Sequence, residues 1–159
     1  MVTGKPGRSE FDGYDNLSLM DADKLVRHLL EEKLEGLAEK VHSCSEKARE
    51  TGREKLLSEM ETISRRLTRI KEMTAFKEGS YVPPFLKEKI LKADTDSLKK
   101  IDNRLMGLIN EALSLITELS CSEQDIYIIK KLSGMSTVLR NYETELAGRN
   151  KLLKQEIQH

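Results

Sequence analysis

Residues 98–119 read LKKIDNRLMGLINEALSLITEL, and apolar residues recur in them at alternating spacings of three and four. This spacing keeps apolar side chains on one face of an α-helix and is typical of coiled-coil-like seams between packed helices. The seam consists of Leu98, Ile101, Leu105, Leu108, Ala112, Leu115 and Leu119. Ile109, Leu113 and Ile116 add a second stripe. This is the most apolar helix of the chain, so we expect it to lie centrally.

Three further helices follow from the same spacing. A capping box of Ser18 and Asp21 opens a helix with the seam Leu30, Leu34, Leu37, Val41, Cys44 and Ala48. The next seam is Leu56, Met60, Ile63, Leu67, Ile70 and Thr74. A capping box of Ser122 and Asp125 opens the last helix, with Ile128, Leu132, Met135, Leu139, Tyr142, Leu146 and Leu153 on its seam. No segment alternates apolar and polar residues long enough to predict a strand.

The connection between the first two seams has two interpretations. Their phase changes near Gly52, where Thr51 and Glu54 form a second capping-box pattern and the glycine suits a tight turn between antiparallel helices. Alternatively, one long helix passes through with a stutter, because Ala48, Gly52 and Leu56 are spaced by fours. We favour the break, since a hairpin buries both seams within one chain.

Gly79, Pro83 and Pro84 mark a clear interruption after the second seam. Phe85 and the apolar residues that follow predict a short helix over 84–93, and residues 94–97 (DTDS) offer a cap before Leu98. The predicted fold class is therefore all-α. It is an up-and-down bundle of about four long helices with a short connecting helix and coiled-coil-like seams.

The first seventeen residues differ in composition from the rest. Three glycines and a proline among polar residues predict a disordered tail over 1–17, followed by a single helical bundle domain over 18–159. Phe11, Tyr14 and Leu17 interrupt the tail. They either dock on the bundle or form a short acidic-aromatic motif for a partner, and we favour docking or plain disorder.

Composition excludes several classes of protein. The 159 residues carry 27 basic and 27 acidic side chains. This balance argues against a histone-like or ribosomal-type basic protein and against a protein with a long acidic tail. Two cysteines, Cys44 and Cys121, are too few for a disulfide framework and predict reduced thiols. No apolar stretch approaches the roughly 20 residues of a membrane span. Residues 1–23 hold no apolar stretch of signal-peptide length, so we expect no signal peptide. We expect a cytoplasmic protein without a membrane contact.

No arrangement of residues predicts catalysis or metal binding. Glu39 and His42, like Glu156 and His159, have the Glu-x-x-His spacing of carboxylate-bridged metal bundles. However, the buried seam of the first helix runs through Val41, so Glu39 and His42 are predicted to face solvent. The chain has only three His, so it offers few residues from which a nucleophilic catalytic triad could be built. We expect no enzyme, no cofactor and no small-molecule substrate.

Two basic clusters are the candidate contact sites. Arg65, Arg66, Arg69 and Lys71 lie together on the second helix, and Lys87, Lys89 and Lys92 follow the prolines. All three arginines avoid the seam of their helix. They are solvated, bind phosphates of a nucleic acid, or dock an acidic protein.

Residues 59–75, EMETISRRLTRIKEMTA, resemble the third helix of archaeal GINS subunits, which ends in an Arg-rich run before a turn and another helix. The resemblance covers residues 19–118. The usual Asp-Phe-Tyr before the second helix is replaced by residues 21–24, DADK, and no small β-domain follows. The resemblance implies a non-catalytic scaffold subunit of a replisome that assembles with its paralogues.

The most direct expectation is a non-enzymatic interaction module or assembly subunit that acts through helix–helix contacts. The apolar seams are longer than one chain readily covers, which favours a protein partner or a homo-oligomer. The alternative is a GINS-like, replication-associated scaffold that uses its basic patches near DNA.

Overall fold

A computed structural model of the chain describes residues 12–15, 17–77, 92–119 and 124–158. Of these residues 91% are helical, and none lies in a strand. The elements are a 3-10 turn at Asp12–Asp15 and four helices: α1 (Leu19–Glu50), α2 (Glu54–Thr74), α3 (Lys92–Thr117) and α4 (Asp125–Gln158). The predicted all-α helical bundle is confirmed. The predicted short helix lies outside the described residues, except that Lys92 and Ala93 belong to α3.

Each helix packs against two others, and the four alternate in direction along the chain. α1 contacts α2 and α3, and α4 contacts the same two helices, so α1 and α4 lie diagonally opposite. Arg53 pairs with Asp125 near the start of α2 and α4, and Thr74 bonds to Tyr142 near the end of α2, which makes these helices parallel. The prediction that α3 lies centrally is wrong, because four helices packed in a ring have no central member.

A tight turn separates α1 from α2, so the continuous-helix alternative is wrong. Gly52 has φ +69°, a left-handed conformation that glycine adopts without a steric penalty. The N–H groups of Gly52 and Arg53 donate to the carbonyls of Arg49 and Ala48. This pair of bonds is the Schellman motif, which satisfies carbonyls that would otherwise lack partners at the helix end.

The two capping boxes predicted for α1 and α2 have different outcomes. The Ser18 hydroxyl accepts from the Asp21 N–H at 3.1 Å, as predicted for the start of α1. The Thr51–Glu54 box is wrong, since the Thr51 hydroxyl donates back to the Lys47 carbonyl. Thr51 is the C-terminal cap of α1, within the Schellman turn, and α2 begins only after Arg53. Thr51 therefore belongs to the end of α1 rather than to the start of α2.

Three of the predicted seams form the core. Every predicted seam residue of α2 and α4 is buried, and on α1 all are buried except Cys44, which is half-buried. The α1 seam also extends toward the start of the helix through Ala22 and Val26. The apolar spacing therefore identified the inward faces of these helices correctly.

The buried face of α3 is rotated from the predicted seam. The buried residues are Leu98, Asp102, Leu105, Met106, Ile109, Ala112 and Ile116. The predicted members Ile101, Leu108 and Leu115 are only partly buried. The buried face of α3 includes Asp102. A search for apolar residues alone selects the neighbouring Ile101 instead, and this choice rotates the predicted seam. The predicted cap at residues 94–97 is also wrong, because these residues lie inside α3.

The tail predicted over residues 1–17 is ordered in part. Residues 12–15 form the 3-10 turn, and Tyr14 is 8% exposed, so the prediction of disorder is wrong for this segment. Docking of Tyr14 on the bundle, the alternative that the sequence left open, is what the structure shows. Phe11 lies outside the described residues, and Leu17 is exposed.

The sequence predicts no membrane-spanning helix. Within the described part of the chain, no helix carries an apolar stretch long enough to cross a bilayer.

Two leucines of α3 test the rotated core. Replacing the fully buried Leu105 by Ala should lower the free energy of unfolding by about 2–5 kcal/mol, through lost apolar burial and the cavity left behind. Leu108→Ala should cost less, because that side chain is already partly in water. Urea denaturation followed by circular dichroism measures both. A larger loss at Leu108 would restore the predicted seam.

Candidate functional site

Four charged side chains meet inside the bundle, at the end where α1 and α3 begin and α2 and α4 end. Asp23 and Arg27 come from α1, Asp102 from α3 and Arg149 from α4, and all four are buried. We call these four residues the buried charge network. Two carboxylates and two guanidiniums balance its charge, and such balance is what makes a buried ionic cluster tolerable.

Arg149 lies at the centre of the network. Its Nε donates to Asp102 Oδ1 at 2.6 Å, and its Nη1 lies 2.5 Å from Asp23 Oδ1 as an ion pair. Its Nη2 donates to the Tyr14 hydroxyl at 2.8 Å, and this hydroxyl donates to Asp102 Oδ2 at 2.5 Å. One arginine thus joins α4 to α1, α3 and the 3-10 turn.

Arg27 connects the network to the end of α2. Its Nε donates to Asp23 Oδ2 at 3.0 Å, and its Nη1 donates to the carbonyls of Thr74 and Met73 at 3.0 and 3.3 Å. Carbonyls in the last turn of a helix lack partners within it, and the helix dipole favours a cation there. Nη2 also donates to Asn150 Oδ1 at 2.7 Å. Arg27 therefore caps α2 and ties it to α1 and α4.

Burial and charge fix the protonation of these groups. Burial raises the pKa of Tyr142 to about 12 and raises the pKa of Tyr14 further, so both phenols remain hydrogen-bond donors at neutral pH. Burial also raises the pKa of Asp102, and the Arg149 guanidinium opposes that rise. Burial alone would lower the pKa of Arg149, but Asp102 and Asp23 raise it well above its ordinary value. The guanidinium at the centre therefore stays charged.

The buried charge network was not predicted from the sequence, although the sequence contains a signal for it. Asp102 follows Leu98 by four residues and precedes Leu105 by three, and Arg149 occupies the gap of the α4 seam between Leu146 and Leu153. A charged residue at a seam position is buried if the seam is correct. Two such residues of opposite sign, on helices predicted to pack together, indicate an ion pair.

The arginines predicted as contact sites on α2 are engaged within the chain. Arg69 donates from Nε and Nη2 to Glu143 Oε1 on α4, at 2.8 and 2.5 Å. Arg66 Nη1 lies 3.7 Å from the other oxygen of the same carboxylate. One glutamate of α4 thus offsets part of the positive charge that the sequence places on this helix.

The remaining residues of the α2 cluster point elsewhere. Lys71 pairs with Glu35 on α1, on the opposite side of the helix from Glu143. Arg65 is exposed, and its Nη2 lies 3.4 Å from the Thr62 hydroxyl of its own helix. The four basic residues therefore do not form one patch.

The second predicted cluster is not described. Lys87 and Lys89 lie outside the described residues, and of Lys92 only the backbone, the start of α3, is described. Whether the two basic clusters converge stays a prediction.

A shallow groove runs along the outer surface between α3 and α4. Two adjoining depressions share Arg104, Thr144 and Glu145 as lining residues, and together they make one surface. We call it the outer α3–α4 groove, defined by Ile101, Arg104, Gly107, Leu108 and Glu111 on α3 and by Asn141, Thr144, Glu145, Gly148, Lys151 and Leu152 on α4. Arg104 Nε lies 3.2 Å from Glu145 Oε1 across it, as an ion pair. Two of the predicted α3 seam residues that are only partly buried, Ile101 and Leu108, line this groove.

The residues that the structure describes offer no ligand set of the kind that holds a metal ion. They contain no group of three or more His, Cys, Asp or Glu placed to hold an ion. Glu39 and His42 are exposed on α1, as their position beside the seam predicted.

Arg149 offers a direct test of the network. Arg149→Leu should lower the free energy of unfolding by about 3–5 kcal/mol, because it leaves two buried carboxylates without their central cation. The matched control is Arg104→Ala, whose pair with Glu145 is half-exposed and should contribute less than about 1 kcal/mol. Urea unfolding followed by circular dichroism compares them. Equal losses would contradict the central role of Arg149.

Comparisons with known proteins give no relative from which a function could be inferred. No family model, curated protein or solved structure matches this chain. The resemblance of residues 19–118 to GINS subunits therefore stays a prediction from the sequence.

Proposed function

We propose that this protein is a non-enzymatic assembly module that associates through helix–helix contacts at the outer α3–α4 groove. A second copy of the same chain is the partner that the groove fits best. The protein would act as a structural subunit rather than as a catalyst.

The observation that carries the proposal is the surplus apolar surface of α3. Ile101, Leu108 and Leu115 recur at intervals of seven residues and are only partly buried by the bundle. Ile101 and Leu108 line the groove, and Leu152 on α4 adds a third apolar side chain there. A line of this spacing matches the surface that a partner helix covers in a coiled coil. The bundle thus buries one apolar line of α3 and leaves a second available.

Two glycines favour close approach of that partner. Gly107 on α3 and Gly148 on α4 both lie in the groove, and a Cβ at either position would meet nothing within 4 Å. Glycine inside a helix costs roughly 0.5–1 kcal/mol relative to alanine. No packing within the described chain requires glycine here, so both positions are consistent with a neighbouring backbone that needs the space.

The charges on α3 favour a second copy of this chain as the partner. Arg104 and Glu111 are seven residues apart, so they lie on one line of the helix, about 10 Å apart along its axis. A two-fold axis near Gly107 would place the Arg104 of one copy beside the Glu111 of the other, and the reverse. Although Arg104 pairs with Glu145, its side chain is 54% exposed and remains accessible. Reciprocal opposite charges suit an isologous interface.

Glutamine at the two groove glycines tests the interface without damaging the fold. Gly107→Gln with Gly148→Gln should stabilise each helix, because glutamine has the higher helix propensity. It should also weaken self-association by about tenfold or more, because the new side chains fill the space that the partner needs. Sedimentation equilibrium over a range of protein concentrations measures the association.

The matched control is Gly36→Gln on α1. A Cβ at Gly36 also meets nothing within 4 Å, and the residue lies away from the groove. This variant should gain helix stability and keep the association of the unchanged protein. A chain that stays monomeric at about 100 µM, or a double variant that associates as strongly as the unchanged chain, would refute the proposal.

The alternative function is that of a GINS-like, replication-associated scaffold with basic patches near DNA. Its support is that Arg65 and Arg69, four residues apart on α2, are both exposed and share one face. Arg69 is held by Glu143, so its contact with a phosphate would compete with an ion pair inside the chain.

A single substitution separates this alternative from the assembly module. If DNA is the target, Glu143→Gln should release Arg69 and Arg66, raise the affinity and steepen its salt dependence by about one unit per added phosphate contact. Arg65→Ala with Arg69→Ala should have the opposite effect. Fluorescence anisotropy of a labelled duplex between about 50 and 200 mM salt measures both. Absence of binding at the lowest salt would eliminate this alternative.

A further inference from the structure

The 3-10 turn of residues 12–15 is attached to the bundle at few points. The Tyr14 hydroxyl reaches Asp102 and Arg149, and the Asp15 carboxylate accepts from Lys99 Nζ at 2.8 and 2.9 Å. The turn packs on α1 and α3. Four residues of 3-10 helix have little stability of their own, so these contacts decide whether the turn is docked.

The site that receives Tyr14 has a defined chemistry. The hydroxyl donates to Asp102 Oδ2 and accepts from Arg149 Nη2 at the same time. An ammonium group cannot accept and a carboxylate cannot donate, so the site needs a group that does both, and a hydroxyl does so through a single atom. Lys99, at the edge, adds attraction for an acid directly after the hydroxyl-bearing residue. We call Asp102, Arg149 and Lys99 the tyrosine socket.

The buried charge network keeps its ion pairs when Tyr14 leaves. Arg149 still faces Asp102 and Asp23, and Arg27 still faces Asp23, so no charge loses its counter-ion. The network itself loses only its two hydrogen bonds to the hydroxyl, and a water can replace that hydroxyl because the position offers both a donor and an acceptor. Release also removes the ring of Tyr14 from the core. Release of the turn is therefore compatible with a folded bundle.

We propose that residues 12–15 are a releasable latch, and that the tyrosine socket is a binding site for a tyrosine followed by an acidic residue. In the closed state the chain's own Tyr14 and Asp15 occupy the site. In the open state the same site is available to a segment of this chemistry added in trans. The socket lies where the 3-10 turn packs on α1 and α3, so the proposal does not depend on association at the outer α3–α4 groove.

A peptide of residues 12–17, DGYDNL, is the probe for the socket. Tyr14→Ala in the full chain empties the site, and the peptide should bind this variant at least about tenfold more tightly than it binds the unchanged protein. The reason is that the tethered Tyr14 competes at a high effective concentration. Isothermal titration calorimetry measures both affinities.

Two matched controls identify the contacts. A peptide with phenylalanine in place of tyrosine keeps the ring but loses the hydroxyl, and should bind the Tyr14→Ala protein at least about tenfold more weakly. Adding Lys99→Ala to that protein should weaken the tyrosine peptide, because the acid after tyrosine loses its cation. Equal affinity of the two peptides would overturn the assigned chemistry.

Hydrogen exchange on the unchanged protein tests release directly. The Leu17 N–H donates to the Gly13 carbonyl at 2.8 Å and reports on the turn. Its exchange should be at least about tenfold faster than that of the Leu105 N–H in the core, and Tyr14→Phe should accelerate it further. Exchange of Leu17 only through global unfolding would overturn the latch. So would an unfolded Tyr14→Ala chain in circular dichroism, or the absence of peptide binding to it at millimolar concentration.

Discussion

The contact of Arg149 with two carboxylates is the interaction on which the arrangement of the bundle depends. Apolar helix faces tolerate small rotations and shifts, because dispersion and hydrophobic contacts have little directional preference. A buried guanidinium does not, because each N–H needs an acceptor at hydrogen-bond distance. Arg149 finds Asp23 on α1 and Asp102 on α3 only in one register of these helices. We infer that the network specifies this register, beyond any contribution to stability.

Arg27 fixes the position of α2, the helix that Arg149 does not contact. By bonding the terminal carbonyls of α2, it fixes where this helix ends relative to α1 and α4. The hydroxyl pair of Thr74 and Tyr142 lies beside that end and holds α2 against α4. All four helices therefore meet in polar contacts at one end of the bundle, whereas the length of the bundle is held by apolar packing.

The two candidate functional surfaces follow from two different properties of α3. Its inward line contains Asp102, which commits this face to the network and to Tyr14. Two members of its second apolar line, Ile101 and Leu108, therefore line the outer groove, whereas Leu115 lies beside Gly134 of α4. One rotation of the helix thus decides which leucines form the core and which remain for a partner. The proposed latch and the proposed interface are consequences of the same placement of a single aspartate.

The sequence by itself determined the helical class, the start of α1 at Ser18 and the inward faces of α1, α2 and α4, and it favoured the turn at Gly52 over a continuous helix. These features are local, because capping, left-handed glycine and apolar spacing act within a few residues. Tertiary structure alone decided the rotation of α3, the pairing of Arg69 with Glu143 and the docking of Tyr14. Each depends on a partner far away in the chain. Asp102 is stable inside the bundle because Arg149 lies opposite it, and the docked Tyr14 hydroxyl donates to Asp102 while it accepts from Arg149. No local pattern reveals such a partner before the helices are packed.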